Sequence, residues 1–288
     1  MKHDYASPLV VKYGGAVLSS GRNAAAASLS SRAEVRSTAV EGSPQDAVIE
    51  ELAVLHAAGQ AFVLVHGGGP EIDRRLAERG IISERVAGHR VTDAVTLETV
   101  EAVLCGELNK RLVRACLAHG IPAVGISGED GKILIAERAR REDDTDLGFV
   151  GEITECNPKL LQILLDGSWV PVVAPLAVAR DAANAYNVNA DLAAAAIAAA
   201  LHASAFVAIT DVARVLQNPD DPTSGIDCLT IEEARAFAAT EACRSSMKPK
   251  VLAAAAAVAG GAQAAYICAA QPNAIAAALD GDATIISN

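Results

Sequence analysis

Seven short runs of this chain are apolar at nearly every position: LVVKY (9–13), AFVLVH (61–66), PAVGIS (122–127), WVPVVAP (169–175), AFVAIT (205–210), AAYICA (264–269) and ATIIS (283–287). A strand with one wet face alternates, so a near-continuous run needs cover on both faces. Longer helix-forming stretches separate the runs, at 45–58, 71–79, 93–118, 157–166, 190–202, 231–240, 248–259 and 272–280. Strands and helices in alternation predict an α/β fold, a mostly parallel sheet with helices on both sides. Aromatic residues make up only 3% of the chain, and alanine runs such as Ala253 to Ala257 stand in for them. Alanine favours helix and carries little bulk, so these helices are expected to pack closely against the sheet. Ligands on such sheets sit at the carboxyl ends of the strands.

Two segments break the alternation. Residues 132–156 have the look of a β-hairpin around a charged turn, and the Ser, Ala, Gly and Arg-rich stretch 19–44 is the expected mobile loop. A polar break after residue 178 suggests two lobes, 1–178 and 179–288.

The formal net charge is −11, which argues against nucleic acid as the main partner, because a phosphate backbone calls for a basic face. The six cysteines are scattered without a C-x-x-C pair or a histidine at ligand spacing. They are expected to be buried thiols in a reducing compartment, with no metal site of the protein's own. The first residues have no signal-type apolar core, and the longest apolar stretch, 251–270, is interrupted by Gly260, Gly261 and Gln263. A cytoplasmic protein without membrane contact is the expectation.

Chemistry enters at the strand ends. In VLVHGGGPEID (63–73) a buried strand runs into Gly67, Gly68 and Gly69, then into Pro70 and an acidic first turn. Glycines at that point leave backbone N–H groups uncovered, and the helix start adds partial positive charge, so the natural occupant is an anion. VVKYGG (10–15) repeats the layout, with Lys12 near the end of its strand and Gly14 and Gly15 after it. Neither stretch is a P-loop or a G-x-G-x-x-G fingerprint. Three further islands stand out. GHRVTD (88–93) puts Arg90 before a helix, where a guanidinium can grip a carboxylate. YNVNAD (186–191) sets Asn187, Asn189 and Asp191 at a helix start, and SSMKPK (245–250) sets Lys248 and Lys250 at another. Taken singly, these have plainer meanings: a tight turn, a surface arginine, a helix cap, a solvated basic patch.

Together, and in this order, they resemble the amino-acid kinase family, most of all its N-acetylglutamate kinase branch. VVKYGG, VLVHGGGPEID, GHRVTD, VGISGEDG, GFVGEI, NVNAD, ITDV and MKPK carry the likeness along nearly the whole chain. The resemblance implies a three-layer α/β/α sandwich around a mostly parallel sheet of about eight strands. Its N-terminal lobe would bind the acylated amino acid and form a homodimer, and its C-terminal lobe would bind ATP. It implies transfer of the ATP γ-phosphoryl group, with Mg2+ carried on the nucleotide, to the side-chain carboxylate of N-acetyl-L-glutamate, a step of arginine biosynthesis. By the same resemblance Lys12 and Lys250 flank the transferred group and Asp191 orients both. Gly14, Gly15, Gly67 and Gly68 offer N–H groups to phosphate and nucleophile. Arg90, Asn187 and Asn189 hold the substrate, and Thr210 and Asp211 open the nucleotide pocket.

The chain departs from the family pattern at Ala16, at Arg214 in TDVARV, at Ser245 and Ser246, and in the shortened GDAT (281–284). These departures leave two alternatives beside the main expectation: a kinase for another acylated amino acid, including one borne by a carrier protein, or a ligand-binding regulator without catalysis. In this family a helical extension ahead of the first strand goes with hexamers and arginine inhibition. Without one here, a dimer insensitive to arginine is expected.

Overall fold

The computed structural model describes residues 7–14, 44–86, 88–141, 143–243 and 246–288. Gly15, Ala16 and Ser245 lie outside these, as does the stretch 19–44 up to its last residue.

All seven apolar runs form strands: β1 (Leu9–Tyr13), β2 (Phe62–His66), β5 (Ala123–Ser127), β8 (Val170–Ala174), β11 (Ala205–Thr210), β13 (Ala265–Ala269) and β14 (Thr284–Ser287). An eighth, β12 (Cys228–Thr230), completes the sheet at one edge. Three partly exposed residues carry no apolar run, which is why the sequence does not announce it. The order is β12-β14-β13-β11-β1-β2-β8-β5, and every pairing is parallel except β13 with β14. β1, the first strand, thus lies in the middle, between β2 and β11.

The pleat divides each strand between two cores. Val10, Val63, Val65, Phe206 and Ala208 face the helices α5 (Lys159–Asp166), α6 (Ala190–Ala200), α7 (Ile231–Ala238) and α8 (Lys248–Ala259). Leu9, Val11, Tyr13, Phe62 and Leu64 face α1 (Pro44–Ala57), α4 (Asn109–Ala118) and α9 (Ala274–Leu279). This is the expected three-layer sandwich. The alanine faces of α6 and α8 meet so closely that a Cβ on Gly260 would lie 2.5 Å from Ala199 Cβ. Within the second of these helical layers, buried Glu51 of α1 accepts from the N–H groups of Ile275 (3.1 Å) and Ala276 (2.7 Å), capping α9, whose own Asn273 makes no side-chain cap.

A second, four-stranded sheet is laid over the first. The charged hairpin expected in 132–156 is its β6 (Leu134–Arg138) and β7 (Gly151–Cys156), and the polar break after residue 178 is the turn between β9 (Leu176–Val178) and β10 (Ala185–Asn187). The helix expected over 93–118 is interrupted. α3 (Ala94–Glu101) passes into a π-helical turn, Ala102–Leu108, before α4. Propensity does not select a π turn; it persists where packing demands the extra residue. The remaining elements are α2 (Gly69–Glu78) and the small hairpin of β3 (Arg85–Val86) and β4 (His89–Arg90).

Candidate active site

Lys12 shares its face of β1 with Val10, the face covered by α6 and α8. Both helices begin at the carboxyl end of the sheet, and their first turns bring Asp191 and Lys250 to it. Lys12 Nζ lies 2.7 Å from Asp191 Oδ1, a close charge contact rather than a well-aligned hydrogen bond, and Lys250 Nζ lies 3.3 Å from Oδ2. Lys12 and Asp191 are buried. Burial pushes the Lys12 ammonium below its ordinary value, with Asp191 working against that and Lys250 adding to it. Burial would raise Asp191, but the two lysines outweigh it and hold the carboxyl below its ordinary value. One buried carboxylate therefore fixes two ammonium groups at one spot.

A cavity of about 360 Å3 opens beside them, within the size range of small-ligand sites. Its lining unites Lys12, Gly67, Gly68, Arg90, Asn187, Asn189, Asp191 and Lys250, all singled out in the sequence. Gly14 is buried immediately after β1, and Thr210 and Asp211 stand together at the end of β11, Thr210 Oγ1 donating to Asp211 at 2.8 Å; these three do not line the cavity.

At the glycine turn, Gly67 N–H donates to Tyr13 O at 3.0 Å, continuing the β1–β2 ladder. The N–H groups of Gly68 and Gly69 have no backbone partner among the described residues, and α2 starts there with Pro at its first turn. At Gly68 a side chain would require neighbours to shift. Its backbone is extended, but an added Cβ would meet Leu108 Cδ1 at 2.5 Å and Leu104 Cδ2 at 2.6 Å, both from the π turn.

Arg90 is buried with most of its guanidinium committed. Nη1 donates to Asp73 and to Ser83 Oγ, and Nη2 to Gly69 O at 3.2 Å. Asp73 also pairs with Arg85, at 3.0 Å. Its carboxyl is held below its ordinary value: partial burial pushes up, and bonds from Arg90, Ser83 and Arg85 outweigh it. So braced, Arg90 has no hydrogen bond at Nε among the described residues.

Two residues the sequence did not single out complete this part of the site. Arg85 lines the cavity as a second guanidinium, and an isolated arginine in a loop gives no sign of that. Thr92 is fully buried, and its hydroxyl donates to Arg90 O (2.9 Å) while accepting from Asn187 Nδ2 (3.2 Å). It lies within GHRVTD, two residues beyond Arg90, where an extended chain returns to the same side. Asn189, which lines the cavity, caps α6, its side-chain oxygen accepting from the N–H groups of Asp191 (2.8 Å) and Leu192 (3.2 Å).

Arg214 does not fill the turn in which it stands. Its guanidinium pairs with Asp227 and Asp282 and donates to Gly281 O at 3.2 Å, tying together three loops toward the β12–β14 edge of the sheet. Ser246 is exposed beside Met247, near the start of α8.

His66 ends β2 fully buried. Burial pushes its imidazole down to about 4, the carbonyl of Gly67 opposing this and Lys110 reinforcing it. An unfolded histidine titrates near 6.5. The unfolded chain thus takes up the proton first. The stability contributed here is complete above about pH 6.5 and declines by roughly 3 kcal/mol as pH falls toward 4. Urea unfolding across that range is expected to show a smaller loss for His66→Leu than for the wild type; equal slopes would refute this.

Residues 7–269 match the amino acid kinase family. An acetylglutamate kinase of Syntrophomonas wolfei is 37% identical over 261 residues, 91% of this chain and 83% of its own. That of Methanopyrus kandleri is 44% identical over 208 residues, 71% of this chain and 84% of its own. Among solved structures, N-acetylglutamate synthase from Neisseria gonorrhoeae, complexed with coenzyme A and N-acetyl-glutamate, superposes with a TM-score of 0.77 at 24% identity, over 99% of this chain and 60% of that one. With this fold, and with the family's model matched over most of its length, the chain belongs to the amino acid kinase family.

Proposed function

We propose that this protein phosphorylates the side-chain carboxylate of N-acetyl-L-glutamate with ATP, giving an acyl phosphate for arginine biosynthesis. The observation that carries this reading is Lys12 and Lys250 converging on buried Asp191 in a cavity that Arg90 and Arg85, from a separate hairpin, also line. A molecule with a carboxylate at each end suits that arrangement. One carboxylate meets the braced guanidinium, and the other is presented to the phosphoryl group. The relatives' names point the same way.

A carboxylate is already a nucleophile at neutral pH, so the site needs no general base. It has to align the reacting groups in line and neutralise charge that builds on the transferring phosphoryl. Lys12 and Lys250 supply that charge, held in place before the reaction by Asp191. Gly68, with Gly14 and Gly15, offers N–H groups to the phosphoryl oxygens, and Gly67 shapes the turn. Asn187 and Asn189 face the acylamino group. Thr210 and Asp211 begin the nucleotide side. In this reading residues 1–178 hold the acylated amino acid and the dimer contact, and 179–288 hold ATP. Asp191 is engaged by two ammonium groups, and the described residues contain no group of three or more His, Cys, Asp or Glu side chains that could hold a metal. Magnesium would arrive on the ATP phosphates, where it would neutralise their charge. None of the described helices is long and apolar enough to cross a membrane, and a cytoplasmic homodimer fits the reading.

The test is trapping of the acyl phosphate with hydroxylamine, in the presence of ATP and magnesium, using N-acetylglutamate, glutamate, aspartate and N-acetyl-aminoadipate in parallel. Signal with N-acetylglutamate alone, lost in Lys12→Ala, is expected. Signal with another member of the panel instead would reassign the substrate, and silence with all four would remove the kinase reading.

A further inference from the structure

His66 does not line the cavity. It points to the opposite face of the sheet from Lys12, toward α4. Its two ring nitrogens are nonetheless both occupied. Nδ1 lies 3.1 Å from Gly67 O, and Nε2 lies 3.3 Å from Asn109 Nδ2. The amide of Asn109 cannot be turned round, because its nitrogen also faces the carbonyls of Val172 (2.8 Å) and Ile126 (3.3 Å), which only accept. An amide nitrogen has no acceptor to offer, so Nε2 cannot be the ring's donor toward it. The ring hydrogen must then sit on Nδ1, and Nδ1 donates to Gly67 O.

The carbonyl of Gly67 and the N–H of Gly68 belong to one peptide plane and, in a trans peptide, point in opposite directions. A donor holding the carbonyl fixes where that N–H points, and drawing electron density to the carbonyl oxygen strengthens the N–H as a donor. The other side of the turn is packed by Leu104 and Leu108 of the π turn, whose methyl groups would have to shift for a side chain on Gly68. Asn109 follows Leu108 directly, so the π turn and the imidazole hold the same peptide from two directions.

We propose that His66 is a positioning residue for phosphoryl transfer: as the Nδ1–H tautomer set by Asn109, it orients the Gly67–Gly68 peptide so that Gly68 N–H is aimed at the reacting carboxylate or phosphoryl oxygen. The kinetic consequence rests on the kinase reading, but the tautomer does not.

Two measurements test it. Nitrogen-15 NMR of the unliganded wild type is expected to place the His66 hydrogen on Nδ1. A hydrogen on Nε2 overturns the proposal whether or not the protein is a kinase. The second is a trio of variants assayed for acyl phosphate formation. Asparagine sets its amide nitrogen where Nδ1 stood, glutamine sets its own where Nε2 stood, and leucine offers no donor. His66→Leu and His66→Gln are expected to lower kcat on the order of a hundredfold with KM little changed, while His66→Asn recovers most of it. Wild-type kcat in His66→Leu, or His66→Asn no better than His66→Gln at equal melting temperature, would overturn the proposal. If His66→Leu does not fold, the Asn and Gln comparison decides. A wild type silent with every substrate would instead remove the kinase reading and leave the NMR result as the judge of the geometry.

Discussion

Replacing Lys12 by alanine is expected to cut kcat by roughly a hundred- to a thousandfold, the range for losing one fixed charge or donor aimed at a transition state. The loss follows from position. Lys12 is buried beside Asp191, which holds its ammonium in a fixed place that a solvent cation would not reproduce. Asp191→Asn is the informative companion. The carboxylate raises the affinity of Lys12 for its proton, against burial and Lys250. Without it the ammonium deprotonates at lower pH, so the variant's activity should rise as pH falls, relative to the wild-type profile. Steady-state kinetics across pH on both variants checks this. A Lys12→Ala enzyme within tenfold of wild type, or an Asp191→Asn profile parallel to wild type, would mean that the lysine pair is structural rather than chemical.

Gly148→Ala is expected to be the most damaging of small changes, costing about 3 kcal/mol from a left-handed alanine and a steric clash combined. Gly148 has φ +70°, and a Cβ there would lie 2.1 Å from Thr92 O and 2.7 Å from Thr92 C. Both are backbone atoms, so no rotamer change gives relief. The strain would fall on the site. Thr92 O accepts from Phe149 N at 2.6 Å, Phe149 O accepts from Asn187 N at 2.8 Å, and Thr92 Oγ1 joins Arg90 to Asn187. Pushing Thr92 away misplaces Arg90 and Asn187 and spares the lysine pair. KM for the acylated amino acid should rise by more than kcat falls. Denaturant unfolding with steady-state kinetics tests both halves; a variant as stable as wild type would refute the clash.

Much of this arrangement can be read from the linear chain, and the reasons are local. Seven apolar runs became strands because doubly covered strands leave no alternation to misread. Pro70 after three glycines marked the start of α2, and Asn189 marked that of α6, because caps and first turns obey rules spanning three or four residues. The charged hairpin of β6 and β7 was legible for the same reason. β12 was not, since three half-exposed residues become a strand only when β14 lies alongside. The π turn was not either: nothing from Ala94 to Ala118 distinguishes it from ordinary helix.

Within the site, Lys12, Asp191, Lys250, Arg90 and Asn187 stood out because their types and their places at strand or helix ends imply chemistry. Thr92, Arg85 and His66 did not, since a threonine, a loop arginine and a buried histidine each suit many ordinary environments. Alternation and helical period prescribe which face of an element is apolar, and helix starts prescribe which N–H groups lie open. Those features depend on residues a few positions apart. Glu51 capping α9 from 224 positions away, Arg214 reaching Asp282, and Asn109 selecting the tautomer of His66 depend on which elements become neighbours. Each is a polar group whose partner is chosen by burial, and burial is a property of the packed layers, since a side chain loses its water only when another element covers it.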